Sequence, residues 1–211
     1  MIAAHQTMLA PQEAPLPYDA EVQYLSSNGS QWINTGFAPT FPSNLEYKAR
    51  VLFPDTTNRK IMGLQGGMYF GVVSGKLQPG LGGSDTVNVN VSANAAHDFD
   101  IVFYLTQSSL SVKSAIDWYV DGTSGTVNAY LYNYLSADAP VWIFTANNAS
   151  GLRGASSVYS FQILVNGAAV RDYIPVRVGY GAGAVGYLFD RVSGELFGNA
   201  GTGAFVIGPD K

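Results

Sequence analysis

The sequence predicts an all-β protein built as two packed antiparallel sheets. Three observations carry that expectation. Short segments rich in aromatic and β-branched residues recur along most of the chain, each bounded by Gly, Asn, Asp or Pro. An Asp-Gly in "YVDGT" and an Asn-Gly in "ILVNGAAV" lie between apolar runs, a strong local signal for a two-residue hairpin. No segment of helical length shows an amphipathic period.

Taken in order, residues 1–17 carry Pro11, Pro15 and Pro17 and no periodicity, which predicts an extended arm. The arm nevertheless contains Ile2, Met8, Leu9 and Leu16, which a purely solvated tail avoids. Extended chain reaches about 3.3 Å per residue, so the arm spans roughly 50 Å, far enough to reach a neighbouring subunit. Residues 18–211 then form one β domain. In "LEYKARVLF", Leu45, Tyr47, Ala49, Val51 and Phe53 alternate with Glu46, Lys48 and Arg50, so one face is apolar and the other charged. "HDFDIVFYL", "AIDWYVDG", "TVNAYLYNYL", "PVWIFTAN", "VYSFQILVNG" and "AVRDYIPV" follow as further strands. There is no internal repeat, which argues against a propeller or solenoid.

Composition narrows the function classes. Only 12% of the residues are charged, against about 25% in an ordinary soluble domain. Ser, Thr, Asn, Gln, Gly and Tyr must cover the surface instead, as in proteins that contact glycans or neighbouring subunits. The net charge is -4 and no Lys/Arg cluster occurs, so the basic footprint needed for nucleic acid is missing. The absence of cysteine excludes disulfides and thiolate metal sites. No apolar run has the length of a membrane span, and the first residues lack the basic region of a signal peptide.

"GAGAVG", residues 181–186, matches the G-x-G-x-x-G of dinucleotide sites. That motif needs a following helix and a βαβ unit. Here Gly194, Gly198, Gly201 and Gly203 interrupt any helix, and too little chain remains. The expectation is a glycine-rich turn between strands, with no cofactor.

"VQYLSSNGSQWINTGFAPT", "VWIFTANNASGLRGASSVYSFQILVNGAAVRDYIPVRV" and "VGYLFDRVSGELFGNAGTGAFVIG" together resemble, in that order, the laminin-G-like, concanavalin A-like β-sandwiches common in bacteriophage structural proteins and gut-type bacterial surface proteins. "AHDFDIVFYL" and "IDWYVDGT" are similar to the pattern in which a His opens a central strand and a Y-x-D-G hairpin follows. Residues 55–95 match poorly. The resemblance implies an antiparallel jelly-roll sandwich with its terminal strands paired in one sheet. It also implies a non-enzymatic virion protein (capsid-decorating, fibre or tail-associated) that adheres to glycans or a host surface. On this reading the arm binds symmetry mates or other virion proteins, and the protein is homo-oligomeric or assembly-bound. The alternative is a cellular carbohydrate-binding module, extracellular or on the cell surface.

Candidate site residues follow from side-chain chemistry. Tyr130, Tyr132 and Tyr134 alternate, so all three project from one face, where rings can stack on sugars and hydroxyls can bond to them; a buried cross-strand ladder is the stronger explanation of the same spacing. Asn147, Asn148 and Arg153 lie in a polar loop able to touch a ligand. Asp98 and Asp100 share a strand face at about 6.5–7 Å, a separation that suits acid and base on a glycosidic bond. Glycosidases of this fold class carry E-x-D-x-x-E, which is absent, so a glycoside hydrolase is the weakest reading. A Ser/His/Asp site needs His97, which the resemblance reads as structural. Asp117, Asp121 and Asp190 are expected to form turns rather than to hold calcium.

Overall fold

The computed structural model describes residues 15–40, 43–64, 68–81, 87–105, 113–130, 139–146 and 153–211. Their strands are β1 (Ala20–Glu21), β2 (Leu25–Ser27), β3 (Ile33–Asn34), β4 (Ser43–Leu52), β5 (Arg59–Leu64), β6 (Met68–Val73), β7 (Lys76–Leu81), β8 (Ala96–Leu105), β9 (Lys113–Val120), β10 (Thr123–Tyr130), β11 (Trp142–Ile143), β12 (Thr145–Ala146), β13 (Ser156–Val165), β14 (Ala168–Val178), β15 (Val185–Asp190), β16 (Glu195–Phe197) and β17 (Val206–Ile207). Among the described residues the one helical element is a 3-10 turn at Gly181–Gly183. The chain is an all-β, two-sheet sandwich. The larger sheet runs β10, β9, β8, β4, β13, β14, β15, β16, with β1 beside β14, β2 beside β13 and β17 beside β2. The smaller runs β3, β11, β5, β6, β7, with β12 against β5. Pairing is antiparallel except between β12 and β5.

β4 shows how the sequence selects the faces. Leu45, Tyr47, Ala49 and Val51 are buried between the sheets, with Phe53 just beyond them. They meet Ile101 and Phe103 of β8, Phe161 and Ile163 of β13, and Phe70 of β6 in one core. Glu46, Lys48 and Arg50 consequently face outward. Burying a large apolar side chain stabilises the fold by about 1.5–3 kcal/mol, so this alternation fixes the register. β5, β6 and β7 differ: burial is nearly continuous along each, on both faces of the smaller sheet.

Both expected hairpins form. Asp121 and Gly122 have φ of 48° and 91° between β9 and β10, and Asn166 and Gly167 have 51° and 81° between β13 and β14. Ser74 and Gly75, at 49° and 71°, make a third turn of the same kind between β6 and β7. "PVWIFTAN" is not one strand. It breaks at Phe144, whose φ is 70°, so β11 runs antiparallel and β12 parallel along the same Met62 and Gly63 of β5. The buried Phe144 ring lies 5.1 Å from that of Phe205, and its amide donates to the Ile61 carbonyl. Those contacts hold a conformation that a phenylalanine rarely adopts alone.

The two ends of the domain meet. Val206 and Ile207 pair with Ser26 and Leu25, and Val22 bridges to Asp210. The "GAGAVG" segment makes the 3-10 turn at Gly181–Gly183 and passes directly into β15, with no α-helix after it. Its last glycine, Gly186, is required by close approach: a Cβ there would lie 2.5 Å from Leu25 Cδ2. A second, small apolar cluster lies on the outer side of the larger sheet, formed by Ile174, Val176 and Phe189 and covered by Tyr18, Tyr187 and Leu196. The Tyr18 and Phe189 rings are 5.0 Å apart, so Tyr18 packs onto the larger sheet. Residues 1–14 of the expected arm lie outside the described residues.

Candidate functional site

The outward residues of the larger sheet form one registered row across six strands. Ser124 of β10 stands opposite Tyr119 of β9, and Tyr119 opposite Asp100 of β8. Asp100 stands opposite Lys48 of β4, Lys48 opposite Gln162 of β13, and Gln162 opposite Asp172 of β14. Arg191, just past β15, closes the row on Asp172. Each residue comes from a different strand, so the row exists only through the sheet's register. Neighbouring strands lie about 4.8 Å apart, which makes the row roughly 24 Å long from β10 to β14.

Two depressions open along this row. One, of about 330 Å³, lies over β8, β9 and β10, between Asp100, Val102, Asp117, Tyr119, Ser124 and Thr126. The other, of about 430 Å³, lies over β8, β4, β13 and β14, between Lys48, Asp98, Ser160, Gln162, Asp172 and Arg191. Asp100 and Tyr119 line both and join them into a single groove. Tyr119 is 41% exposed, so its ring faces the groove's solvent.

The charges in the groove are paired internally. Lys48 Nζ donates to Asp100 Oδ2 at 2.7 Å and contacts Glu46 at 2.6 Å; these bonds raise the Lys48 ammonium above its ordinary pKa. Arg50 Nη1 donates to Asp98 Oδ2 at 2.7 Å. Arg191 bonds Asp172 through Nε at 2.9 Å and Nη2 at 2.6 Å, while Gln162 Nε2 donates to the other Asp172 oxygen at 3.0 Å. Asp117 accepts from the Tyr104 hydroxyl at 2.7 Å and from Thr126 at 2.6 Å. Its carboxylate pushes the Tyr104 phenol upward. The arrangement is a floor of hydroxyls, an amide and neutralised ion pairs beside one exposed aromatic ring.

Asp98 and Asp100 do share a face, as their spacing predicts, but each is bound to a cation of β4. His97 is 6% exposed and sits between Asp121, which faces Nδ1, and Ser92. The order Ser92, His97, Asp121 has the outline of a catalytic triad. However, Nε2 meets the Ser92 carbonyl oxygen at 3.0 Å, closer than the Ser92 hydroxyl at 3.2 Å. With Asp121 at Nδ1 and the Ser92 carbonyl at Nε2, the imidazole bridges two segments of the chain. It pins β8 to the β9–β10 turn, helped by the Asp98 amide, which donates to Asp121 Oδ1 at 2.9 Å.

The remaining sequence candidates fall elsewhere. Tyr130 ends β10 opposite Lys113. Tyr132, Tyr134, Asn147 and Asn148 lie outside the described residues. Arg153 is exposed just before β13 and does not line the groove. Asp121 occupies a turn as expected, and Asp190 ends β15 and anchors the turn after it, accepting from the Val192 amide at 3.1 Å. Asp117 corrects the expectation: it is in the middle of β9, held by Tyr104 and Thr126. Among the described residues no three His, Cys, Asp or Glu side chains converge as a metal site. Sequence reading missed Lys48, Tyr119, Gln162, Asp172 and Arg191 as a group. Outward alternation flags Lys48 alone, and the others join it only through register. No protein-family model matches the chain, and no curated protein is similar to it.

Proposed function

We propose that the protein is a non-enzymatic adhesion module that binds glycan in the groove of its larger sheet. The observation that carries this reading is the registered row itself: an exposed tyrosine beside polar groups able to exchange hydrogen bonds with sugar hydroxyls. Aromatic rings offer sugars an apolar face, while hydroxyl, amide and carboxylate groups fix their orientation. The internal pairing of every groove carboxylate with a cation or hydroxyl supports recognition over hydrolysis. We further infer a jelly-roll, laminin-G-like sandwich carried on a phage particle as a decorating, fibre or tail-associated protein. The three resembling sequence blocks and the low surface charge support this, and the apolar residues of the N-terminal segment supply an anchor to symmetry mates or other virion proteins. A cellular carbohydrate-binding module would use the same groove. Mass spectrometry of purified particles separates the two: the virion reading requires the protein in the particles, and its absence from them refutes that reading. Glycan-array binding tests the groove in either setting.

A further inference from the structure

We infer that the groove takes a neutral glycan chain lying across the strands, and that it rejects acidic glycans. This rests on the glycan reading above and adds the chemical class and the direction of the ligand. The described cations beside the groove, Lys48, Arg50 and Arg191, are each already bound to a carboxylate of the same face. Five carboxylates, Glu46, Asp98, Asp100, Asp117 and Asp172, stand against those three cations. A uronate or sulfate entering the groove meets a net negative floor and must displace an internal partner to reach any of these cations. Displacement leaves an aspartate unpaired in a half-buried site, which opposes binding.

A neutral sugar requires no displacement. Its hydroxyls both donate and accept, and the groove offers both functions. Gln162 uses Nε2 on Asp172, so its Oε1 is open to a donor, and the hydroxyls of Tyr119 and Ser124 project at the opposite end of the row. Direction follows from register. The polar positions repeat from strand to strand across the sheet at about 4.8 Å, a step close to one pyranose ring in a chain. Along β8 the outward positions are interrupted by Val102, and along β13 by Leu164. A chain crossing the strands therefore keeps polar partners along its length, whereas one following β8 or β13 meets these apolar side chains.

Affinity electrophoresis in gels containing matched polymers tests the inference. The polymers are dextran with dextran sulfate, together with neutral mannan, xyloglucan and galactan against alginate and heparin. At least one neutral polymer is expected to retard the protein, with none of the acidic ones doing so, and the retardation is insensitive to salt. Tyr119→Ala and Gln162→Ala should each weaken binding about tenfold, a loss typical of a contact anchor. Unchanged thermal unfolding of these variants shows that the loss is local. Retardation by acidic polymers alone overturns the inference while leaving glycan binding intact. Retardation by no polymer refutes the glycan reading and the inference together. Neutral binding that survives both substitutions places the ligand elsewhere and also overturns it.

Discussion

Tyr119 and Asp100 stand directly opposite each other on β9 and β8, and both line each half of the outer groove. Asp100 is held by Lys48 from the far side, so the ring, the carboxylate and the ammonium follow one another across three strands. We expect Lys48→Met to weaken glycan binding by releasing Asp100. Its effect on stability should be about 1 kcal/mol, because the pair is partly exposed to solvent. Isothermal titration and chemical denaturation of the same samples separate the two effects.

A second prediction concerns Arg59. Its guanidinium is 2% exposed, contacts Asp55, Thr57 and the Ala155 carbonyl, and lies 5.9 Å from the centre of the Phe53 ring. It ties the start of β5 to the segment entering β13. Arg59→Ala should destabilise the domain by about 3 kcal/mol, from the cavity and the carbonyls left without donors. Arg59→Lys should recover little, because an ammonium cannot reproduce the planar fork. Urea unfolding measures both.

Tyr47 gives the opposite expectation. It is fully buried, and its hydroxyl has no hydrogen-bond partner among the described residues. Burial pushes its phenol well above the ordinary range. Tyr47→Phe removes an unpaired polar group and keeps the ring, so stability should be unchanged or higher by about 1 kcal/mol. A clear loss of stability on thermal unfolding would show that the hydroxyl has a partner.

Asp121 predicts a pH dependence. Burial raises its carboxyl, but the Asp98 amide and the His97 ring outweigh this and hold it below its ordinary value of 3.8. A depressed folded-state pKa contributes stability that is present above 3.8 and is lost as pH falls through the folded value. Asp121→Asn should therefore lower stability near neutral pH and flatten the acid limb below about pH 4. Parallel curves for variant and parent would contradict the assignment.

Gly201 should not tolerate a side chain. A Cβ there would lie 2.1 Å from the Ser30 carbonyl and 2.8 Å from Trp32 Cδ1. Trp32 in turn stacks on Trp142 at 3.9 Å, joining β3 to β11. Gly201→Ala should cost about 1–3 kcal/mol by displacing this contact. Near-ultraviolet circular dichroism should register the disturbed indole pair.

These residues also show what a sequence can disclose. β4 was legible because one of its faces is buried and the other wet, so the period of two appears directly in "LEYKARVLF". The Asp-Gly and Asn-Gly turns were legible because positive φ restricts residue choice. β5, β6 and β7 were not, because burial on both faces erases alternation. The break at Phe144 was hidden as well, since it depends on packing against Phe205. The groove was the least legible feature. Lys48 and Gln162 are far apart in sequence, and only the pairing of β4 with β13 makes them neighbours. The tyrosine ladder drew attention to Tyr130 instead, while the exposed ring in the groove is Tyr119, two residues before the Asp-Gly turn.

Where glycan sits can be read from backbone amide shifts of the isotope-labelled protein, mapped during titration with the neutral oligosaccharide that binds tightest on an array. A chain lying across the strands should change Ser124, Tyr119, Asp100, Lys48, Gln162 and Asp172 most, one residue from each of six adjacent strands. Changes confined to the segment around Arg153, or none at saturating oligosaccharide, would contradict this placement.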